Sequence, residues 1–116
     1  MIHVIAVITA KPGLQDAVLR EFRANMPAVH AEQGCVEHAP AIDAAQGCVE
    51  YAPAIDAEGI GSFQTAFGPD TFVAIEKWES AEALQAHAAA PHMKAYAAKT
   101  KDMIASRVIH VLSPAG

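Results

Sequence analysis

A chain of 116 residues has room for one core, because domains of ~100–150 residues are the common size; the whole span, 1–116, is read as one unit. A net charge of -5, with only eight Lys and Arg and none of them clustered, gives no electrostatic footprint for a phosphate backbone, so no nucleic acid is expected as a partner. Although 53% of the residues are hydrophobic, no run approaches the ~18 apolar residues of a membrane helix, so no membrane is expected either.

The first stretch, MIHVIAVITAKPG, is apolar but has no basic leader, and it reads as a strand of a cytoplasmic protein rather than a signal peptide. From Ile2 to Thr9 both alternating faces are apolar, so both should be covered. After Lys11-Pro12-Gly13, apolar residues recur at Leu14, Val18, Phe22, Met26 and Val29, the spacing of an amphipathic helix. Gly34 is placed to end that helix, and Pro27 inside it predicts a bend or a split, since proline lacks the amide donor and crowds the preceding turn.

Residues 31–43, AEQGCVEHAPAID, are followed directly by 44–56, AAQGCVEYAPAID, a tandem duplication that differs only at Glu32/Ala45 and His38/Tyr51. Cys35 and Cys48 are therefore copies of one position, so no disulfide framework follows and reduced thiols are expected. At ~3.3 Å per residue the two copies are too long for one strand in a domain of this size. Pro40 and Pro53 speak against one continuous helix. The chain must reverse between the copies, and one of them supplies strand two. The first copy is the expected one, because extra length in the connection after Asp56 costs little entropy.

Residues 57–70, AEGIGSFQTAFGPD, form a connection much longer than an ordinary hairpin turn and read as a lid or an interface arm. Strand three is expected from Thr71 to Glu79 and is again apolar on both faces for most of its length. Ser80 should cap a short helix, Ala81 to Ala90, with Glu82 in its first turn where the helix dipole favours an acid. Pro91 stops that helix and starts another, with Met93, Tyr96, Ala97, Thr100 and Met103/Ile104 on one face. Strand four is expected from Arg107 to Leu112.

The order is β-α-β-β-α-β with the second helical region in two pieces, which predicts an α+β, ferredoxin-like fold with a four-stranded antiparallel sheet. Helices cover one face of such a sheet, while strands one and three are apolar on both. A second copy of the chain is the expected cover, giving a homodimer through sheet faces, a dimeric α+β barrel with an interface of roughly 2,000 Å² or more.

The segment IEKWESAEALQAHAAAPHMKAY, from Ile75 to Tyr96, in which a strand ending in Trp leads to a short helix and then Pro-His, resembles the antibiotic biosynthesis monooxygenase family. The strand MIHVIAVITAKPG and the segment GCVEYAPAID are similar to that family's first strand and helix-to-strand junction. The resemblance covers most of the chain outside the extra copy and implies a quinol monooxygenase-like protein without a metal or any other cofactor. Such a protein oxidises a small aromatic, a quinol or phenol, with dioxygen. The substrate itself then supplies the electrons, which it does once deprotonated.

That chemistry needs a base working near neutral pH, which imidazole can be, and a dry, aromatic-lined pocket. Within the resemblance His92 is the expected base and Trp78 the expected stacking group, with Phe22, Phe72, His87, Met93 and Tyr96 around the substrate. Tyr51 or His38 joins them according to which copy forms strand two. Each has a plainer reading. His92 would satisfy a helix start, Trp78 and the Met and Phe stripe would be core, and His38 or Tyr51 would lie on the surface.

Other chemistries find little support. His87 and His92 flank Pro91 and do not share a helix face as zinc-binding histidines do, so no metal site is expected. The glycines at Gly59 and Gly61 lack the strand-to-helix setting of a dinucleotide fingerprint. Strand one holds no asparagine of the kind that haem-degrading relatives use, which sets haem behind quinol. Two alternatives stand beside the oxygenase: a non-catalytic small-molecule binding or stress-response protein on the same fold, and an interaction module in which the extra copy pairs across subunits.

Overall fold

The computed structural model describes residues 1–31 and 48–116. Seven elements follow in order: β1 (Ile2–Ala10), α1 (Gln15–His30), β2 (Cys48–Ala54), β3 (Thr71–Trp78), α2 (Ala81–Ala89), α3 (Pro91–Thr100) and β4 (Ile104–Leu112). The strands form one antiparallel sheet in the order β2-β3-β1-β4. This is the ferredoxin-like α+β arrangement expected from the sequence.

Strand periodicity sorts the side chains. Val4, Ala6, Ile8 and Ala10 of β1 and Phe72, Ala74 and Trp78 of β3 are buried on the face beneath the helices, with Val18, Leu19, Phe22 and Val29 of α1 packed over them. Each large apolar side chain hidden this way contributes about 1.5–3 kcal/mol. On the opposite face Ile5 and Val7 stand beside Ile75 and Val73, and all four are half-buried.

The second copy of the duplication, not the first, supplies strand two. Tyr51 lies opposite Glu76 and is buried, so it shares the face that carries Trp78. An aromatic ring from the second copy enters the core at the position where the first copy has His38, and burial of that ring favours the second copy. Apart from Ala31, the first copy, His38 and Gly34 with it, lies outside the described residues.

Pro27 does not split α1, which runs on to His30. The last turn is held from outside. Val29 is fully buried, and His30 Nε2 donates to the Tyr51 carbonyl oxygen at 3.2 Å, which requires the proton on Nε2 because a carbonyl only accepts. The Pro27 carbonyl accepts from Ala31 N at 3.0 Å. Tertiary contact thus outweighs the missing proline donor.

The other junctions follow local rules. Gly13 turns from β1 to α1 with φ 80°, a left-handed conformation that glycine adopts freely, and its N–H donates to Asp70 Oδ1 at 3.1 Å. Ser80 Oγ caps α2 by accepting from Ala83 N at 3.1 Å. α3 closes at Thr100, earlier than its apolar stripe suggested, and a turn over 101–103 delivers Ile104 to β4, where it pairs with Ala10 across a register shift. Strand four therefore begins three residues before Arg107.

Candidate active site

Between the sheet and the two short helices lies a cavity of about 380 Å³. Val4, Ala6 and Ile8 of β1 and Ala74 and Glu76 of β3 form its floor. Tyr51 of β2 and Phe22 of α1 form one wall, and Leu84, His87 and Ala88 of α2 the next. Met93, Lys94, Tyr96 and Ala97 of α3 close the roof, while Ile104, Arg107 and Ile109 of β4 stand at the far side. The helical residues recur at three-to-four spacing, so each helix turns a single stripe to the space. Ligand pockets commonly run from ~300 to 1,000 Å³, and ~150 Å³ suffices for benzene, so a small aromatic has room.

Rings dominate the wall. Phe22 stacks on Tyr51 with centroids 5.1 Å apart and planes 2° from parallel, and it meets Phe72 and Tyr96 edge-on at 5.4 and 6.1 Å. His87 is 5% exposed and lies against Trp78 at 4.6 Å with a 37° tilt, and against Tyr51 at 5.3 Å. Trp78 in turn donates Nε1–H to Glu76 Oε1 at 2.9 Å. Glu76 and Trp78 are two apart on one strand and face the same way, so this bond is local and fixes both. A buried carboxylate thus holds the indole, and the indole backs the imidazole.

Tyr96 is pushed up to about 12 by burial, partly offset by the Arg107 charge nearby. Its hydroxyl therefore stays protonated through the neutral range and serves as a hydrogen-bonding group rather than a base.

Of the residues the sequence singled out, Phe22, Tyr51, His87, Met93 and Tyr96 line the cavity together. Trp78 and Phe72 are fully buried behind its wall, Trp78 against His87 and Phe72 against Phe22. His92 is not at the cavity. It lines a separate pocket of about 230 Å³ between α1 and α3, with Glu21, Asn25, Tyr96 and Lys99. Pro91 is the reason: as the first residue of α3 it fixes the phase of that helix, which turns Met93 and Tyr96 to the cavity and His92 toward α1.

Glu76 is the residue sequence reasoning passed over. Its signal was an acid in the middle of TFVAIEKW at the same parity as Ala74 and Trp78, on the face that the helices bury. Among the described residues, no group of three or more His, Cys, Asp or Glu is placed to hold a metal ion, and no helix is long and apolar enough to cross a membrane.

The fold and this cavity define a ferredoxin-like α+β protein with a ring-lined cavity of small-molecule size that opens beside β4. The chain belongs to the antibiotic biosynthesis monooxygenase family, whose model matches residues 1–99. It is 39% identical over 116 residues to the probable quinol monooxygenase YgiN of Escherichia coli K12, with 98% of each chain covered. Among solved structures it is similar to PA3566 from Pseudomonas aeruginosa, at a TM-score of 0.72 and 25% identity over 99% of this chain and 94% of that one. Rv0793 from Mycobacterium tuberculosis shares the fold, at a TM-score of 0.71 and 22% identity over 99% and 95%.

Proposed function

We propose that the protein is a cofactor-independent monooxygenase that oxidises a small aromatic, a quinol or phenol, with dioxygen. The observation that carries this reading is the convergence of one histidine, one buried carboxylate and three aromatic rings on a cavity with room for a small aromatic, in a chain of this family and similar to a probable quinol monooxygenase.

The base we assign is His87, in place of His92. Its ring lies in the cavity wall and is held by Trp78, whereas His92 opens onto a different pocket. His87 takes the phenolic proton, and the phenolate, kept from water by Leu84, Ile8 and Phe22, gives up an electron to dioxygen. Recombination forms a ring C–O bond, and O–O cleavage leaves one oxygen on the ring as a carbonyl. The other leaves as water, carrying the phenolic hydrogen and the displaced ring hydrogen, so the dioxygen is fully reduced at the expense of the substrate alone. Glu76 accepts from the second hydroxyl of a quinol, and neutral Tyr96 hydrogen-bonds the developing carbonyl.

The protein acts as a homodimer on this reading, paired through the open sheet face where Ile5, Val7, Val73 and Ile75 are half-buried and nothing else among the described residues covers them. The setting we infer is the cytoplasm, in keeping with two cysteines that give no disulfide framework.

Oxygen uptake with a panel of hydroquinones and phenols, after subtraction of autoxidation, tests the assignment. Uptake in proportion to enzyme is expected. Uptake no faster than the uncatalysed reaction for every compound, from protein that still binds them, turns the reading into that of a binding protein.

A further inference from the structure

The exposed large hydrophobic side chains of the described residues fall, Met1 aside, into two short segments. Ile55, Ile60, Phe63 and Phe67 belong to the β2–β3 connection, and Val108, Ile109, Val111 and Leu112 belong to β4. Phe63 is 84% exposed, yet the connection that carries it is firmly built. The Asp56 carboxylate accepts from Phe67 N at 2.9 Å and Gly68 N at 2.8 Å, and Gln64 Nε2 donates to the Ala57 carbonyl at 3.1 Å. An arm fixed by its own polar bonds while it presents phenylalanine to solvent is preorganised for a contact.

β4 is the matching half. Among the described residues it is an edge strand bonded to β1 alone and is exposed on both faces: Val108 and Leu112 on the open side, Ile109 and Val111 on the helix side. Sheet-to-sheet pairing covers the first two and leaves Ile109 and Val111 wet. Ile109 and Arg107 are also the cavity's exposed wall, so the site is unfinished there. The chain's own arm does not finish it, because it springs from the β2 side of the sheet and none of its residues lines the cavity. The charges are complementary as well. Residues 55–70 hold Asp56, Glu58 and Asp70 and no Lys or Arg, while β4 holds Arg107 and no acid.

We propose that the arm of a second copy wraps the β4 edge, so that the partner's Phe63 and Phe67 pack on Ile109 and Val111, and the partner's Glu58 meets Arg107, closing the cavity of the first copy. In a twofold dimer the contact occurs twice, and each active site is completed by the other subunit. This rests on the pairing of sheet faces inferred above.

The experiment uses full-length chains carrying Cys35→Ser and Cys48→Ser. One chain bears Phe63→Cys and a size tag and the other bears Ile109→Cys, and the two are co-expressed and treated with a short bismaleimide. A crosslinked mixed pair about tenfold above a control whose second chain lacks cysteine is expected, because a held contact gives a millimolar effective concentration. In parallel, Phe63→Ser with Phe67→Ser should raise the dimer dissociation constant about tenfold or more, as loss of aromatic anchors does. Both rings are exposed in the lone chain, so the fold does not depend on them. A dimer by light scattering that gives no mixed crosslink overturns the arm contact and leaves sheet pairing standing. A monomer overturns both. Cover of β4 by any other occupant also leaves the mixed pair uncrosslinked and overturns the proposal. Oxygen uptake by the unsubstituted protein is read separately, so failure of the oxygenase assignment leaves these outcomes intact.

Discussion

His87 and His92 stand on either side of Pro91 and end in opposite surroundings. His87 is buried in the last turn of α2, in contact with both Trp78 and Tyr51 beside an apolar cavity. His92, in the first turn of α3, lines a smaller pocket beside Glu21, Asn25 and Lys99, where a salt bridge runs from Lys99 Nζ to Glu21 Oε1 at 3.9 Å. The difference teaches that a residue's chemistry is set by the helix phase that delivers it. The same imidazole lies against a ring-lined wall in one case and in a polar, half-buried groove between two helices in the other.

The strongest way to break this comparison is to remove what holds His87. Trp78→Ala deletes a fully buried indole, removes the Nε1–H donor to Glu76 and takes away the surface on which His87 rests. A loss of about 3–5 kcal/mol in denaturant unfolding is expected. Trp78→Phe, which keeps a ring but not the Nε1–H, should lose less and still slow oxygen uptake, because Glu76 then has no indole donor. A Trp78→Ala protein as stable as the parent would mean that the wall is not packed as described.

Next in size is the chemistry itself. His87→Gln keeps a polar side chain of similar length but removes the proton acceptor, and oxygen uptake with a hydroquinone should fall about a hundredfold, the usual scale of a general base. The loss should appear in kcat more than in KM. Recovery of rate at higher pH, where the substrate ionises unaided, separates a base from a packing residue. Equal rates at all pH values would remove His87 from the mechanism.

How much of this was legible beforehand follows from which signals are local. Strands one and three, the Ser80 cap and the break at Pro91 are written in period-two alternation and capping chemistry, and each was found where expected, whereas strand four begins three residues early. The cavity's aromatic wall was largely legible too, because Phe22, Met93 and Tyr96 lie on apolar stripes of their helices. Three features were not. The choice of the second copy turned on a tertiary partner, since the ring of Tyr51 stacks on Phe22 at the position opposite Glu76. The passage of α1 through Pro27 turned on His30 reaching the Tyr51 carbonyl from another element. Glu76 was not singled out because a lone acid in an apolar strand gives no local sign of its face, and its 6% exposure is set by the helices packed over β3.

The arm should withstand acid until its one capping carboxylate is protonated. Hydrogen bonds from the backbone N–H of Phe67 and then of Gly68 hold the Asp56 carboxyl below its ordinary value of 3.8. A group lowered in this way contributes its stability above the unfolded value and loses it as pH falls through the lowered folded one. The arm's amides should therefore lose hydrogen-exchange protection only below about pH 4. Asp56→Asn should show the same loosening at neutral pH. Protection unchanged in that variant would mean that Gln64 and the glycine turns alone hold the arm.

The smallest expected effect carries the sharpest meaning. His92→Ala truncates a side chain that opens between α1 and α3, away from the floor formed by Ala6, Ala74 and Glu76. Its removal disturbs no cavity wall. Ala is also a better helix former than His, which offsets what the lost polar contact costs. Oxygen uptake should stay within about twofold of the parent and the unfolding midpoint should shift little, as is usual for substitutions outside the core. A hundredfold loss with unchanged folding would return the base to His92. It would also require the substrate to sit in the pocket beside Glu21 and Asn25, where no ring stack lines the wall, and the whole assignment of the aromatic cavity would fall with it.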